Sequence, residues 1–310
     1  MIKPPCLKPG ATIGIVNPSY WLEEALLTKG AVLFKKKGYQ LKMGLTTQLK
    51  DHIFAGTPAQ RAEDLLNFFQ DETIDAIICG RGGYGANRVL PLLDYNLIQS
   101  HPKIFMGYSD ITALLTSITQ KTGLVTFHGP MLVTFKRGMV RYNFDLLEQI
   151  LQGTFPVSIT PPHSHPASVL KAGIAEGPLW GGNATLLSNR LATPDQLKTN
   201  NAILFLEDVD EYLYSFDRLL YHFRQTGMFD HIRGLIIGEL VEMKDQKIPF
   251  GKTTDEIVLD VCGDLDIPIV THFPCGHGRY QATLPLSIPV RLVAEKGHVS
   301  LDLLETPVVC

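Results

Sequence analysis

Residues 77–94 read IICGRGGYGANRVLPLLD and set Gly80, Gly82 and Gly85 at G-x-G-x-x-G spacing directly after an apolar run. Glycines at this spacing let backbone N–H groups come close to an oxygen, because no Cβ stands in the way. Two chemistries use such a turn: holding a pyrophosphate, or stabilising an oxyanion as it develops. The dinucleotide version needs the turn after the first strand, with an acidic residue about 20 positions on. Here the turn does not follow the first expected strand, and Asp94 comes too early. Further along, KIFMGYSDITALL puts Ser109 where an apolar strand gives way to an amphipathic helix. A serine at that junction commonly just caps the helix. It is also where a nucleophile is pushed out at the carboxyl edge of a sheet, with the N–H of Asp110 aimed at an incoming carbonyl oxygen. The G-x-S-x-G elbow is absent, since Ile111 replaces its second glycine, which counts against the α/β-hydrolase fold.

A serine nucleophile needs a base, and the base needs an orienting carboxylate. Of ten histidines, His163 and His165 lie in a Pro-rich stretch, His222 in a helix and His298 in a hairpin turn. His128 reads as a hydrogen-bonded core residue. His277 differs: in FPCGHGRY it stands between two glycines just past a strand end, in a loop able to approach another segment closely. For the carboxylate, LFLEDVDEYLY places Glu207 and Asp208 at the end of an apolar strand, where acids are also ordinary caps or solvated groups. Arg81 and Tyr84 flank the glycine turn and could meet a substrate carboxylate. Trp180 and Asn183, in LWGGNATLL, could shape a substrate cleft or be a packed aromatic and a helix N-cap.

These side chains need a scaffold. The first half alternates strands 11–18, 75–79, 103–108 and 124–129 with helices over Glu23–Lys37, from Thr57-Pro58 onward, and over 111–119. Thr57 suits an N-cap and Pro58 the first helical position. Ala62, Leu65, Leu66 and Phe69 then fall at i, i+3, i+4 and i+7 on one buried stripe. Short apolar strands separated by helices imply an α/β fold with a parallel sheet covered on both faces. Residues 153–172, GTFPVSITPPHSHPASVLKA, hold four prolines and no helical period, and read as a crossing between domains 1–152 and 173–310. The second half carries strands 201–209, 234–240 and 267–273, helices 215–227 and 253–261, and a hairpin through Glu295–His298.

The 310 residues suggest two domains. Hydrophobic residues at 45% and charged ones at 19% fit a globular protein with a sizeable core. A net charge of −3, with no basic clusters interleaved with aromatics, gives no footprint for nucleic acid or an anionic membrane. MIKPPCLKPG lacks the apolar stretch of a signal peptide, and no run is long enough to span a bilayer. Five scattered cysteines without a C-x-x-C pair suggest neither a disulfide framework nor a zinc site, and a reducing cytoplasm is the expected setting.

GRGGYGANRVLPLLDY, MGYSDITALL, TGLVTFHGP, LWGGNATLL, LFLEDVDE and PCGHG occur in that order. Together they closely resemble the LD-carboxypeptidases, serine peptidases that include the microcin C immunity peptidases, from about Pro9 to Leu292. The resemblance implies a Rossmann- or flavodoxin-like N-terminal sheet with helices on both faces and a smaller, β-rich α/β C-terminal domain. It implies Ser109 as nucleophile, Glu207 as triad acid and His277 as base, with the amides of Gly83 and Asp110 as oxyanion donors. The reaction implied is removal of the terminal D-alanine from a muropeptide tetrapeptide, with no metal or cofactor, in a homodimer. The glycine turn then serves close approach of backbone to a carbonyl, not to a phosphate. Two departures stand out: Cys275, where an aromatic residue is frequent, and the Pro-rich crossing with its two histidines. The rival readings are a microcin-type immunity peptidase cleaving a peptidyl-adenylate mimic, a non-hydrolytic nucleotide-binding Rossmann protein and an idle wall-peptide binding module.

Overall fold

In the first half, strands and helices alternate: β1 (Thr12–Val16), α1 (Glu24–Lys36), β2 (Gln40–Met43), α2 (Pro58–Gln70), β3 (Ala76–Cys79), α3 (Tyr95–Ser100), β4 (Ile104–Gly107), α4 (Thr112–Thr122), β5 (Phe127–His128) and α5 (Arg141–Leu151). The structure is a computed structural model and describes residues 1–138 and 140–310. The second half contributes β6 (Ser158–Ile159), β7 (Ser168–Lys171), β8 (Gly173–Asn183), α6 (Ala184–Ser188), β9 (Ile203–Val209), α7 (Leu213–Gln225), β10 (Gly234–Val241), α8 (Thr254–Cys262), β11 (Ile269–Thr271), β12 (Leu284–Pro285), β13 (Pro289–Glu295) and β14 (His298–Leu303).

Two compact units result: Met1–Phe155 with Ala282–Leu286 and Thr306–Cys310, and Pro156–Gln281 with Ser287–Glu305. The first holds a six-stranded sheet in the order β12-β5-β4-β3-β1-β2, parallel except for β12. Its parallel part runs 2-1-3-4-5, the flavodoxin-like winding, whose order reverses between β1 and β3. β3 and β4 are buried at every position, as strands covered on both faces must be. The expected start of α2 is realised: Thr57 accepts from the Gln60 amide at 3.3 Å, and the Gln60 side chain accepts from the Thr57 amide at 2.9 Å, with Pro58 at the first helical position.

The second unit holds a mixed eight-stranded sheet, β6-β14-β13-β8-β9-β10-β11-β7. Phe216, Leu220 and Phe223 of α7 and Ile257 and Val258 of α8 bury against β9 and β10 in its core. The segment read as a crossing between domains supplies both outer strands of this sheet, β6 and β7. Strands of two and four residues beside prolines are too short to show a period, and edges are where proline is tolerated. A second expectation is corrected: Cys6 and Cys310 form a disulfide, Cα–Cα 5.2 Å. Pro5 and Val309 bridge there, with Cys6 N–H donating to Val309 O at 2.9 Å. The partners are 304 residues apart, so their spacing carries no local signal. Cys79, Cys262 and Cys275 are free and buried. Among the described residues, no helix is long and apolar enough to cross a membrane.

Candidate active site

In the first unit, the chain leaves β4 at Gly107 and turns through Ser109–Ile111 into α4. Ser109 sits at φ 63°, in the left-handed region that a non-glycine residue enters only when its surroundings force it. A serine in this conformation between strand and helix shares the geometry of a nucleophile elbow, without the G-x-S-x-G spelling. The glycine turn lies against it: a Cβ built on Gly82 would fall 3.0 Å from Ser109 Cβ, 3.2 Å from Ser109 Oγ and 3.4 Å from Asp110 N. Gly83, at φ 122°, instead lies against the Tyr20 ring. Gly82 is thus the glycine that lets the turn approach the serine, with Gly83 next along the chain.

The Asp110 side chain locks the two turns together. Its Oδ2 accepts from Ser19 Oγ at 2.5 Å and from the Ala86 amide at 2.8 Å, and its carboxylate also accepts from the Gly85 amide. Burial pushes its pKa up, while those bonds and the Arg61 charge pull it down. Arg61, almost wholly buried on α2, donates through Nη1 to Pro18 O at 2.6 Å and Gly85 O at 3.0 Å, and through Nε to Gly56 O. The sequence reading missed Ser19 and Arg61; the available signal was an arginine beside an apolar helical stripe. Burying a charge without such partners is costly, so a guanidinium there implies several acceptors.

In the second unit, Glu207 of β9 is fully buried and its Oε2 lies 2.7 Å from His277 Nδ1. Burial alone would lower the His277 pKa; the charge and hydrogen bond of Glu207, with Asp208 and Glu242, outweigh it and raise the value. Asp208 faces the other way, as adjacent residues on a strand must. Its carboxylate accepts from Asn183 Nδ2 at 3.0 Å and from the Thr185 amide and hydroxyl at 3.0 and 2.9 Å. Burial and the neighbouring Glu207 charge push the Asp208 pKa up to about 6. The loop bearing His277 is tightly fitted: Gly276, at φ 101°, leaves no room for a Cβ, which would fall 2.6 Å from Glu207 Oε2. Cys275 is fully buried against Gly238.

The other expected contacts sort differently. Arg81 donates to Gly82 O and Trp21 O, both at 3.3 Å, with its guanidinium over the Tyr20 ring. Tyr84 is exposed and packs on Phe54. Trp180 packs on the core of the second unit. Asn183 is buried and caps α6 by accepting from the Leu186 amide at 3.1 Å. His128 is buried, its ring 6.1 Å from that of Tyr108. Among the described residues no group of three or more His, Cys, Asp and Glu is placed to hold a metal ion.

A serine in the left-handed region behind a parallel strand, in the first unit, and a histidine paired with a buried carboxylate, in the second, are the kinds of side chain a serine hydrolase uses. Residues 13–129 match the LD-carboxypeptidase N-terminal domain and residues 176–292 the LD-carboxypeptidase C-terminal domain, so the chain belongs to the LD-carboxypeptidase family. It is 32% identical over 303 residues to a probable murein peptide carboxypeptidase of Bacillus subtilis, covering 96% of this chain and 93% of that protein. A solved structure of the microcin self-immunity protein MccF, in complex with aspartyl sulfamoyl adenosine, is similar at TM-score 0.93 and 25% identity, covering 100% of both chains. Muramoyltetrapeptide carboxypeptidase from Oxalobacter formigenes is similar at TM-score 0.84 and 26% identity, covering 94% of this chain and 98% of that one. The chain is a carboxypeptidase of the serine type.

Proposed function

We propose that this carboxypeptidase removes the terminal D-alanine from muropeptide tetrapeptides, with Ser109, His277 and Glu207 as its triad. His277 Nε2 takes the Ser109 hydroxyl proton as Oγ attacks the carbonyl carbon at the L-centre of the diamino acid. Glu207 accepts the Nδ1–H, fixes the tautomer and stabilises the imidazolium. Amides of Asp110 and the glycine turn, that of Gly83 foremost, stabilise the oxyanion, worth about 3 kcal/mol per donor. The imidazolium returns the proton to the departing D-alanine amine, and water attacks the acyl-enzyme with His277 again as base. Arg81 and Tyr84 are proposed to meet the substrate carboxylate, with Trp180 and Asn183 shaping the pocket. The enzyme is further proposed to work in the cytoplasm as a homodimer.

The observation that carries this reading is the 2.7 Å bond between His277 Nδ1 and the buried Glu207 Oε2. Mass spectrometry of a muropeptide mixture before and after incubation tests it: tetrapeptides convert to tripeptides plus free D-alanine. Ser109→Ala abolishes the conversion, falling by several orders of magnitude; retention of more than a few per cent of the wild-type rate removes the nucleophile assignment. A peptidyl-adenylate mimic is the second substrate to assay, because the MccF structure matching over 100% of both chains holds aspartyl sulfamoyl adenosine. Turnover of that mimic without turnover of tetrapeptide replaces the first reading with the second.

A further inference from the structure

The Pro-rich segment and its histidines take no part in the reaction above, yet His165 Nε2 lies in hydrogen-bonding contact with Glu239 Oε1. Glu239 sits in a bulge of β10, where Gly238 and Glu239 break the register with β9 between Ile237 and Leu240. A bulge re-aims a side chain and bends the strand locally. Here it turns Glu239 onto the segment carrying His277. The Glu239 amide donates to Cys275 O at 2.9 Å and its backbone bridges Gly276. Its side chain presses on Gly278, where a Cβ would fall 2.5 Å from Glu239 Cγ. Beyond that, the His165 ring lies 5.8 Å from the Tyr280 ring, and the Ser164 and Tyr280 hydroxyls are 2.9 Å apart. His277 is therefore bracketed by contacts at 275–276 on one side and at 278 and 280 on the other. Burial pushes the Glu239 carboxyl pKa up and the His165 charge and hydrogen bond pull it down. Half-buried, this carboxylate is costly to strip of its partner.

We propose that His165 and Glu239 form a positioning pair, in which the crossing segment and the β10 bulge together fix the loop that aims the His277 imidazole. The role rests on the reading of His277 as the base. Geometry at a proton-transfer step is sensitive, since small misplacements cost up to about a hundredfold. Glu239→Gln and His165→Gln each lower kcat on the tetrapeptide at least about tenfold with KM within about twofold. The double variant loses no more than the worse single one, because the two side chains act as one unit. A readout independent of turnover is the low-field proton resonance of His277 Nδ1–H against Glu207, which broadens or shifts in both variants. If wild type shows that resonance, the variants disturb it, and no tetrapeptide is cleaved, the substrate reading has failed and the positioning role stands. If wild type cleaves the tetrapeptide and both variants keep kcat within twofold with the resonance intact, the positioning role is overturned. Multiplying, independent losses in the double variant overturn it too. Should Glu239→Gln not fold, His165→Gln, at a partly exposed site, decides alone.

Discussion

Two opposed forces act on the His277 ring: burial, which favours its neutral form, and the carboxylates of Glu207, Asp208 and Glu242, which favour its charged form and prevail. The folded-state pKa lies above the ordinary value of about 6.5. Two consequences have opposite signs. With His277 as the proposed base, the neutral ring is the active form, so kcat/KM rises with pH through an apparent pKa above about 6.5, and a profile already flat at pH 6 contradicts the environment described. Stability runs the other way: the ion pair contributes fully below the unfolded-state pKa and that contribution is lost as pH rises through the folded one. Parts of this local geometry were legible at residue level. Ser109 and His277 could be singled out from a strand–helix junction and a pair of glycines. The choice between Glu207 and Asp208 could not be made from residue types, since both are acids at the same strand end. The alternation of the strand distinguishes them, turning Glu207 toward His277 and Asp208 toward Asn183 and Thr185.

Among the elements, the turn from β4 into α4 stores strain at Ser109, φ 63°. A left-handed non-glycine residue costs on the order of 1 kcal/mol or more, and glycine relieves it. Ser109→Gly is therefore expected to be more stable than Ser109→Ala by about 1 kcal/mol while both are inactive. Chemical denaturation of the two variants checks this, and equal midpoints would mean that the conformation is not strained. The helices were well marked in the sequence because caps and stripes are local: Thr57 with Pro58 opens α2, and the apolar face of α7 repeats every three to four residues. Strands β6 and β7 were hidden, being short, Pro-flanked and recruited to sheet edges by partners distant in the chain. The bulge of β10 was hidden for the same reason: nothing in GLIIGEL announces which residue will be left unpaired.

At the scale of the whole molecule, the α/β class and the alternating first half followed from periodicity, whereas chain-distant pairings did not. The Cys6–Cys310 bond is such a pairing. In a reducing compartment these two would stay as thiols. Oxidised, the bond closes a loop of nearly the entire chain, and such cross-links typically stabilise by about 2–4 kcal/mol. Cys310→Ser should lower the thermal midpoint of oxidised protein and leave that of protein kept in reductant unchanged. A drop equal under both conditions would assign the effect to packing against Gly153 and Gln152 in place of the bond. The first unit borrows Ala282–Leu286 and Thr306–Cys310 from the far end of the chain. During synthesis, then, the half that bears the serine has no edge strand β12 to lie beside β5 until everything through Gln281 has already left the ribosome. Both units thus wait for chain beyond Gln281, since β13 and β14 of the second follow β12, and the usual sequence in which a leading domain finishes before the next begins does not apply.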